Sequence, residues 1–119
     1  MKAVVALALV LMATVPAWAQ APQRVVTLNL CLDQLALRLA APDQLVGVSY
    51  LSRDPRLSVL AEQARIIAPV RARVESILDL RPDLVIFDSA AHVGIKGLVR
   101  RAGVPVLEVP WAATLEQAE

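Results

Sequence analysis

The chain has 119 residues, 57% of them apolar, which is enough for one packed core and too little for two lobes. Its formal net charge is +1. With no Lys/Arg block beyond Arg71/Arg73 and Arg100-Arg101, it has no electrostatic footprint for nucleic acid. Cys31 is the single cysteine, so a disulfide within the chain is excluded; it is expected as a small buried residue in the first turn of a helix. An aliphatic mixture poor in aromatics suits a parallel sheet buried under helices on both faces.

The first nineteen residues are a different material. Met1-Lys2 gives a positive start, Ala3 to Val15 is almost wholly apolar, Pro16 breaks the run, and Ala17-Trp18-Ala19 has the small-x-small form read by signal peptidase. The run falls short of the roughly twenty apolar residues that span a bilayer. Residues 1–19 are therefore expected to be a cleavable signal peptide and residues 20–119 the exported domain, with no stable membrane insertion after cleavage.

Beyond Ala19 the pattern repeats: short β-branched run, polar break, helical period. Val25 to Leu28 reads as a strand. Asn29 follows as an N-cap, and Leu32, Leu35, Ala36 and Leu39 form the stripe of a packed helix that Pro42 stops. Leu45 to Ser49 is the second strand. Asp54-Pro55 predicts a helix start, continued by Leu57, Leu60, Ala61 and Ala64. Ile66 to Val70, with Pro69 inside it, fits an edge segment. Val74 to Leu80 is a short helix ended at Arg81-Pro82; the carboxylates flanking that turn, Asp79 and Asp83, are expected to be solvated. Leu84 to Phe87 is the third strand. Ile95, Leu98, Val99 and Ala102 mark a helix closed by Gly103 and Pro105, and Val106 to Val109 is the fourth. Thr114-Leu115-Glu116-Gln117 has the form of a capping box that opens a further helix. A start signal with so little behind it suggests a fragment. Strands alternating with helices imply parallel pairing, hence an α/β fold, a three-layer sandwich around a small parallel sheet.

In open parallel sheets ligands gather at the carboxyl ends of the strands. Those ends hold Thr27-Leu28-Asn29, Ser49-Tyr50-Leu51-Ser52-Arg53, Phe87-Asp88-Ser89 and Val109-Pro110-Trp111. After Ala19 the aromatics are Tyr50, Phe87 and Trp111, all at strand ends. Phe87 follows Val85-Ile86 and reads as core, whereas Tyr50 and Trp111 are candidates for the large, rigid contacts that ligand pockets favour. Asn29, Arg53 and Asp88 are the polar candidates, Arg53 for an anionic group. No catalytic constellation, glycine-rich dinucleotide turn or phosphate loop is present. The lone His92 has too few companions for a zinc site, so no metal site is expected.

Three segments carry a family likeness. Arg24-Val25-Val26-Thr27-Leu28-Asn29 before an amphipathic helix, Glu75-Ser76-Ile77-Leu78-Asp79-Leu80-Arg81-Pro82-Asp83-Leu84-Val85-Ile86, and Arg101-Ala102-Gly103-Val104-Pro105-Val106 resemble the periplasmic substrate-binding proteins of ABC importers for iron–siderophores, cobalamin and haem. The central segment is the most specific, and the likeness runs from about Arg24 to the chain end. The resemblance implies two Rossmann-like lobes joined by one long helix, of which this chain would supply the first. It implies a periplasmic, monomeric carrier with no cofactor and no enzymatic activity. An iron–siderophore or cobalamin-like chelate would be its ligand, and a permease dimer with its ATPase its partner. Glu75 occupies the position of the glutamate that docks on the permease. Departures from the family pattern are Leu30 for Pro, Asp33-Gln34 for Thr-Glu, and Arg71 for Gly. Haem-binding members carry a Tyr shortly before the docking glutamate; Val70 to Val74 has none, which disfavours haem, although His92 keeps it open. An exported α/β enzyme or chelatase-like domain is the alternative, disfavoured by the lack of paired acid–base groups.

Overall fold

In the computed structural model, residues 20–112 and 114–118 are described; the expected signal segment lies outside them. The elements in order are β1 (Val25–Thr27), α1 (Leu30–Leu39), β2 (Leu45–Ser49), a 3-10 turn (Tyr50–Arg53), α2 (Ala61–Ala64), β3 (Ala68–Val70), α3 (Val74–Leu78), β4 (Leu84–Asp88), α4 (Val93–Arg101), β5 (Val106–Val109) and α5 (Leu115–Ala118). The strands form one five-stranded sheet in the order β3-β2-β1-β4-β5, and every pairing is parallel. This is the expected α/β sandwich, with Ala68–Val70 confirmed as the edge strand that holds Pro69. Among the described residues no helix is long and apolar enough to cross a membrane.

Alternation along the strands divides the core in two. Val26, Leu28, Val85 and Phe87 join Val70, Ile77 and Val99 on the face covered by α3 and α4. Val25, Leu45 and Val48 join Ala64 on the face covered by α1 and α2, with Leu84 and Ile86 at its margin. Beyond α1 this second face is open: Leu35, Leu39 and Leu107 are exposed, and with Leu84, Ile86 and Val109 they line an apolar groove of about 310 Å³.

Two local readings are corrected. Asp54-Pro55 opens a turn, not a helix. The Asp54 carboxylate accepts from the backbone N–H of Arg56 and pairs with its guanidinium at 2.7 Å, and the Asp54 carbonyl accepts from Leu57 and Ser58. This local closure competes with helix propagation, so Leu57 stays exposed and the helix is reduced to Ala61–Ala64. Asp83 is not simply solvated either. Its two oxygens accept from the backbone N–H groups of Gln23 (2.8 Å) and Arg24 (2.9 Å), while the Arg24 guanidinium donates to the carbonyls of Leu80 and Arg81. The approach to β1 is thereby tied to the α3–β4 turn, where Arg81 takes φ +48°.

At Gly47 the layers leave no room for a side chain. A Cβ there would stand 2.6 Å from Leu80 Cδ1 and 2.7 Å from Val70 Cγ2. Gly47→Ala should therefore cost about 1–3 kcal/mol through overpacking, read as a lowered urea midpoint at unchanged slope. The backbone hydrogen bond from Gln23 is the main cause holding the Asp83 carboxyl below its ordinary 3.8. A depressed folded-state value adds stability above the unfolded value and loses it as pH falls through the folded one. Asp83→Asn should accordingly destabilise at pH 7, with the gap to wild type closing below about pH 4.

Candidate ligand-binding site

Because β1 to β3 progress to one side of the sheet and β4 to β5 to the other, the chain's direction of travel reverses between β1 and β4. Parallel α/β sheets open a crevice at such a point. A cleft of about 520 Å³ lies there, lined by Asn29, Tyr50, Asp88, His92 and Trp111 together with backbone-flanking residues such as Cys31 and Ala72. Four of the five residues expected to contact ligand, Asn29, Tyr50, Asp88 and Trp111, thus share one cavity. Its volume falls within the range of small-molecule sites.

The polar floor is built by helix and turn chemistry. Asn29 Oδ1 caps α1 by accepting from the Cys31 N–H at 2.8 Å, and its amide donates to Asp88 Oδ2 at 3.1 Å. Asp88 Oδ1 accepts from the backbone N–H groups of Ala90 (3.0 Å) and Ala91 (2.7 Å). Burial pushes the Asp88 carboxyl up, but the hydrogen bonds from Ala91, Asn29 and Ala90, with the nearby His92, outweigh it and hold it below 3.8. Asp88 is therefore an anionic acceptor at neutral pH, already oriented by three donors.

The walls are aromatic. Tyr50 and Trp111 are both partly exposed, which leaves ring surface for a ligand. Phe87 is fully buried and belongs to the core, as its neighbours imply; its ring supports that of His92, with centroids 6.1 Å apart. His92 sits in the left-handed region (φ +58°) immediately before α4.

Arg53 is not among the cleft residues. Its guanidinium donates to the carbonyls of Arg65 (2.9 Å) and Ile67 (2.5 Å), pinning the α2–β3 connection. Its guanidinium is engaged by these two carbonyls and is not brought into the cleft with the other four. The cation beside the cleft is Arg71, stacked over the Tyr50 ring at 4.4 Å in a cation–π contact. In the sequence Arg71 stands out only as a departure from Gly, which does not foretell this contact. Cys31 is exposed, not buried, because it lies on the cleft side of the first turn of α1. Glu75 is exposed in the first turn of α3, where the helix dipole favours a carboxylate. Among the described residues no three His, Cys, Asp or Glu side chains stand close enough to share a metal ion.

Sequence reasoning also missed two buried charged side chains behind the cleft. Lys96, 3% exposed, donates to Glu108 (2.8 Å) and to the carbonyls of Ser89 (2.9 Å) and Asp88 (3.2 Å), so α4, the end of β4 and β5 meet on one ammonium. Arg100 also pairs with Glu108. Asp33 is fully buried; it accepts from the Thr27 and Ser52 hydroxyls and from the Ser49 N–H. Burial raises its carboxyl above 3.8, against the opposing hydrogen bonds from Ser52, Thr27, Ser49 and Asn29.

The chain matches the family described as periplasmic binding protein across residues 25–118 and belongs to it. Solved structures agree. A periplasmic haem-binding protein from Pseudomonas aeruginosa is 26% identical, with 82% of this chain and 34% of that one aligned at a TM-score of 0.62. A periplasmic vitamin B12-binding protein of Vibrio cholerae is 26% identical over 81% of this chain and 37% of its own, also at 0.62. A periplasmic solute-binding protein from Staphylococcus epidermidis, 17% identical, shares the fold over 82% of this chain and 38% of that one at 0.68. No curated protein sequence matches at a significant level. The chain spans about a third of the length of the solved structures it matches.

An unpaired buried ammonium costs more than an apolar replacement of similar size. Glu108→Ala should therefore lower the melting temperature more than Lys96→Met does, as calorimetry of the two variants would read.

Proposed function

We propose that this protein is the periplasmic binding component of an ABC importer, capturing an iron–siderophore or cobalamin-like chelate and delivering it to a permease dimer driven by its ATPase. One observation carries the reading: Asn29, Tyr50, Asp88 and Trp111, distant in sequence, line one open cleft at the sheet's point of reversal. The cleft offers two partly free aromatic faces over a fixed anionic floor. That arrangement suits holding a bulky, partly apolar ligand. Membership in the family and the vitamin B12-binding neighbour support it.

Arg71 replaces Arg53 as the residue for an anionic group, since its guanidinium plane lies over Tyr50 at the rim. Glu75 is the docking carboxylate: exposed and in a first turn, it can accept paired hydrogen bonds from a permease arginine, setting register and encounter rate more than affinity. The export signal in residues 1–19 directs the chain to the periplasm, where it acts as a monomer.

Haem is a second reading, favoured by a specific placement. No Tyr lies in Val70 to Val74, but the cleft sets Tyr50 beside Val70 and Ala72 and includes His92; Tyr and His are both side chains that can hold haem iron. The haem-binding neighbour supports this reading.

Titrating the purified protein with cyanocobalamin, a ferric hydroxamate and haemin, each followed by Trp111 emission, should give saturable quenching by one of them with no product formed. Turnover of any of the three would overturn the carrier reading. Tyr50→Ala should weaken that binding by about tenfold, or ~1.4 kcal/mol. Glu75→Ala should leave affinity unchanged and impair cellular uptake; unimpaired uptake removes its docking role.

A further inference from the structure

We propose that Asp33 is the positioning residue for Tyr50, holding the 3-10 turn that presents this aromatic to the cleft. The carboxylate sits in the first turn of α1 and is fully buried, so it touches neither solvent nor ligand. Its contacts are arranged around one short segment. Oδ2 accepts from the Ser49 N–H (3.1 Å) and from the Ser52 hydroxyl (2.5 Å), the residues that bracket Tyr50-Leu51. Oδ1 accepts from the Thr27 hydroxyl at the end of β1. One oxygen thus gathers both sides of the Tyr50 turn, while the other anchors the carboxylate to the central strand.

The far end of the turn is tied by Arg53 to the carbonyls of Arg65 and Ile67; the Tyr50 end is gripped from the core side by Asp33. The Tyr50 ring is 45% exposed, and its cation–π partner Arg71 is itself exposed. The Ser49 hydroxyl accepts from Leu51 at 3.3 Å, a long and local bond. Without Asp33, the Ser49 N–H would lose its acceptor and the Ser52 hydroxyl would be left buried and unpaired, a costly state that the turn relieves by opening. The Phe87 core, on the opposite face of the sheet, would be spared. Buried carboxylates are expensive; one placed here is explained by what it fixes at the cleft.

The effect on ligand rests on the binding reading above, whereas the ring's position is read separately. Tyr50 and Phe87 are the only tyrosine and phenylalanine in the chain, so ring-labelled NMR reports each without assignment ambiguity. In Asp33→Ala, the Tyr50 ring signals should shift and broaden while those of Phe87 stay in place. Asp33→Asn should restore most of the Tyr50 signal, because its carbonyl can take the Ser49 and Ser52 donors while its amide turns to the Thr27 oxygen. Ser52→Ala, which leaves the carboxylate in place, should loosen the ring in the same direction; it decides the matter if Asp33→Ala does not fold. Loosening of this kind should weaken binding of whichever of haemin, cyanocobalamin or ferric hydroxamate binds wild type by about tenfold. Tyr50 signals unmoved in the folded variants, or Phe87 signals moving as much as those of Tyr50, would overturn the proposal. Wild-type protein that binds none of the three probes would count against the carrier reading, with the ring signals still deciding the role of Asp33.

Discussion

Parallel pairing on both sides of a three-residue strand is the constraint on which the molecule is built. Val25–Thr27 is in register with Leu45 and Gly47 on one flank and with Leu84, Val85 and Ile86 on the other. Parallel strands cannot be joined by tight hairpins, so each must be followed by a crossover. Every carboxyl end therefore opens on the same edge of the sheet. The chain turns outward from β1 in both directions, leaving a gap above the central strands that no crossover fills. The cleft is a consequence of this topology before any side chain is considered. Asn29, Tyr50, Asp88 and Trp111 face one another because each stands within two residues of a strand end.

The polar residues around that gap do two different jobs. Asn29 and Asp88 are held by backbone donors and by each other, yet remain on the cavity wall. Asp33 and Lys96 lie one layer back, where water does not reach, and each ties a helix to two strands. A charge in such a place is tolerable only when its lone pairs or protons are nearly all used. Asp33 takes three donors, and Lys96 gives to one carboxylate and two carbonyls. The two sit on opposite faces of the sheet, Asp33 on α1 and Lys96 on α4, so the rim of the cleft is braced from both sides.

Most of the fold was legible in the sequence. All five strands, counting the Ile66 to Val70 edge segment, occur where β-branched runs were bounded by turn residues, and Asn29 caps the helix as its position demanded. What failed did so for local reasons. The Asp54-Pro55 start signal was genuine chemistry with the wrong beneficiary: Arg56, two residues on, captured the carboxylate. Arg53 stands at a strand end as counted, but its guanidinium binds the carbonyls of Arg65 and Ile67. Asp33, Asp83 and Lys96 could not be read at all, since their partners lie 6 to 60 residues away and no periodicity encodes a hydrogen bond across the sheet. The cleft itself was legible, because strand ends can be counted from sequence, whereas the stacking of Arg71 on Tyr50 was not.

The two borders of the sheet are not equivalent. β3, at one border, is only three residues long and has Pro69 at its centre, so one residue in three brings no N–H to any newcomer. At the other border β5 presents four residues without a proline. Growth of this sheet by an added strand, whether from the same polypeptide or another, is thus directional: it is frustrated beside Ala68–Val70 and permitted beside Val106–Val109. The same asymmetry tells a protein engineer which flank tolerates a grafted strand and which would reject it.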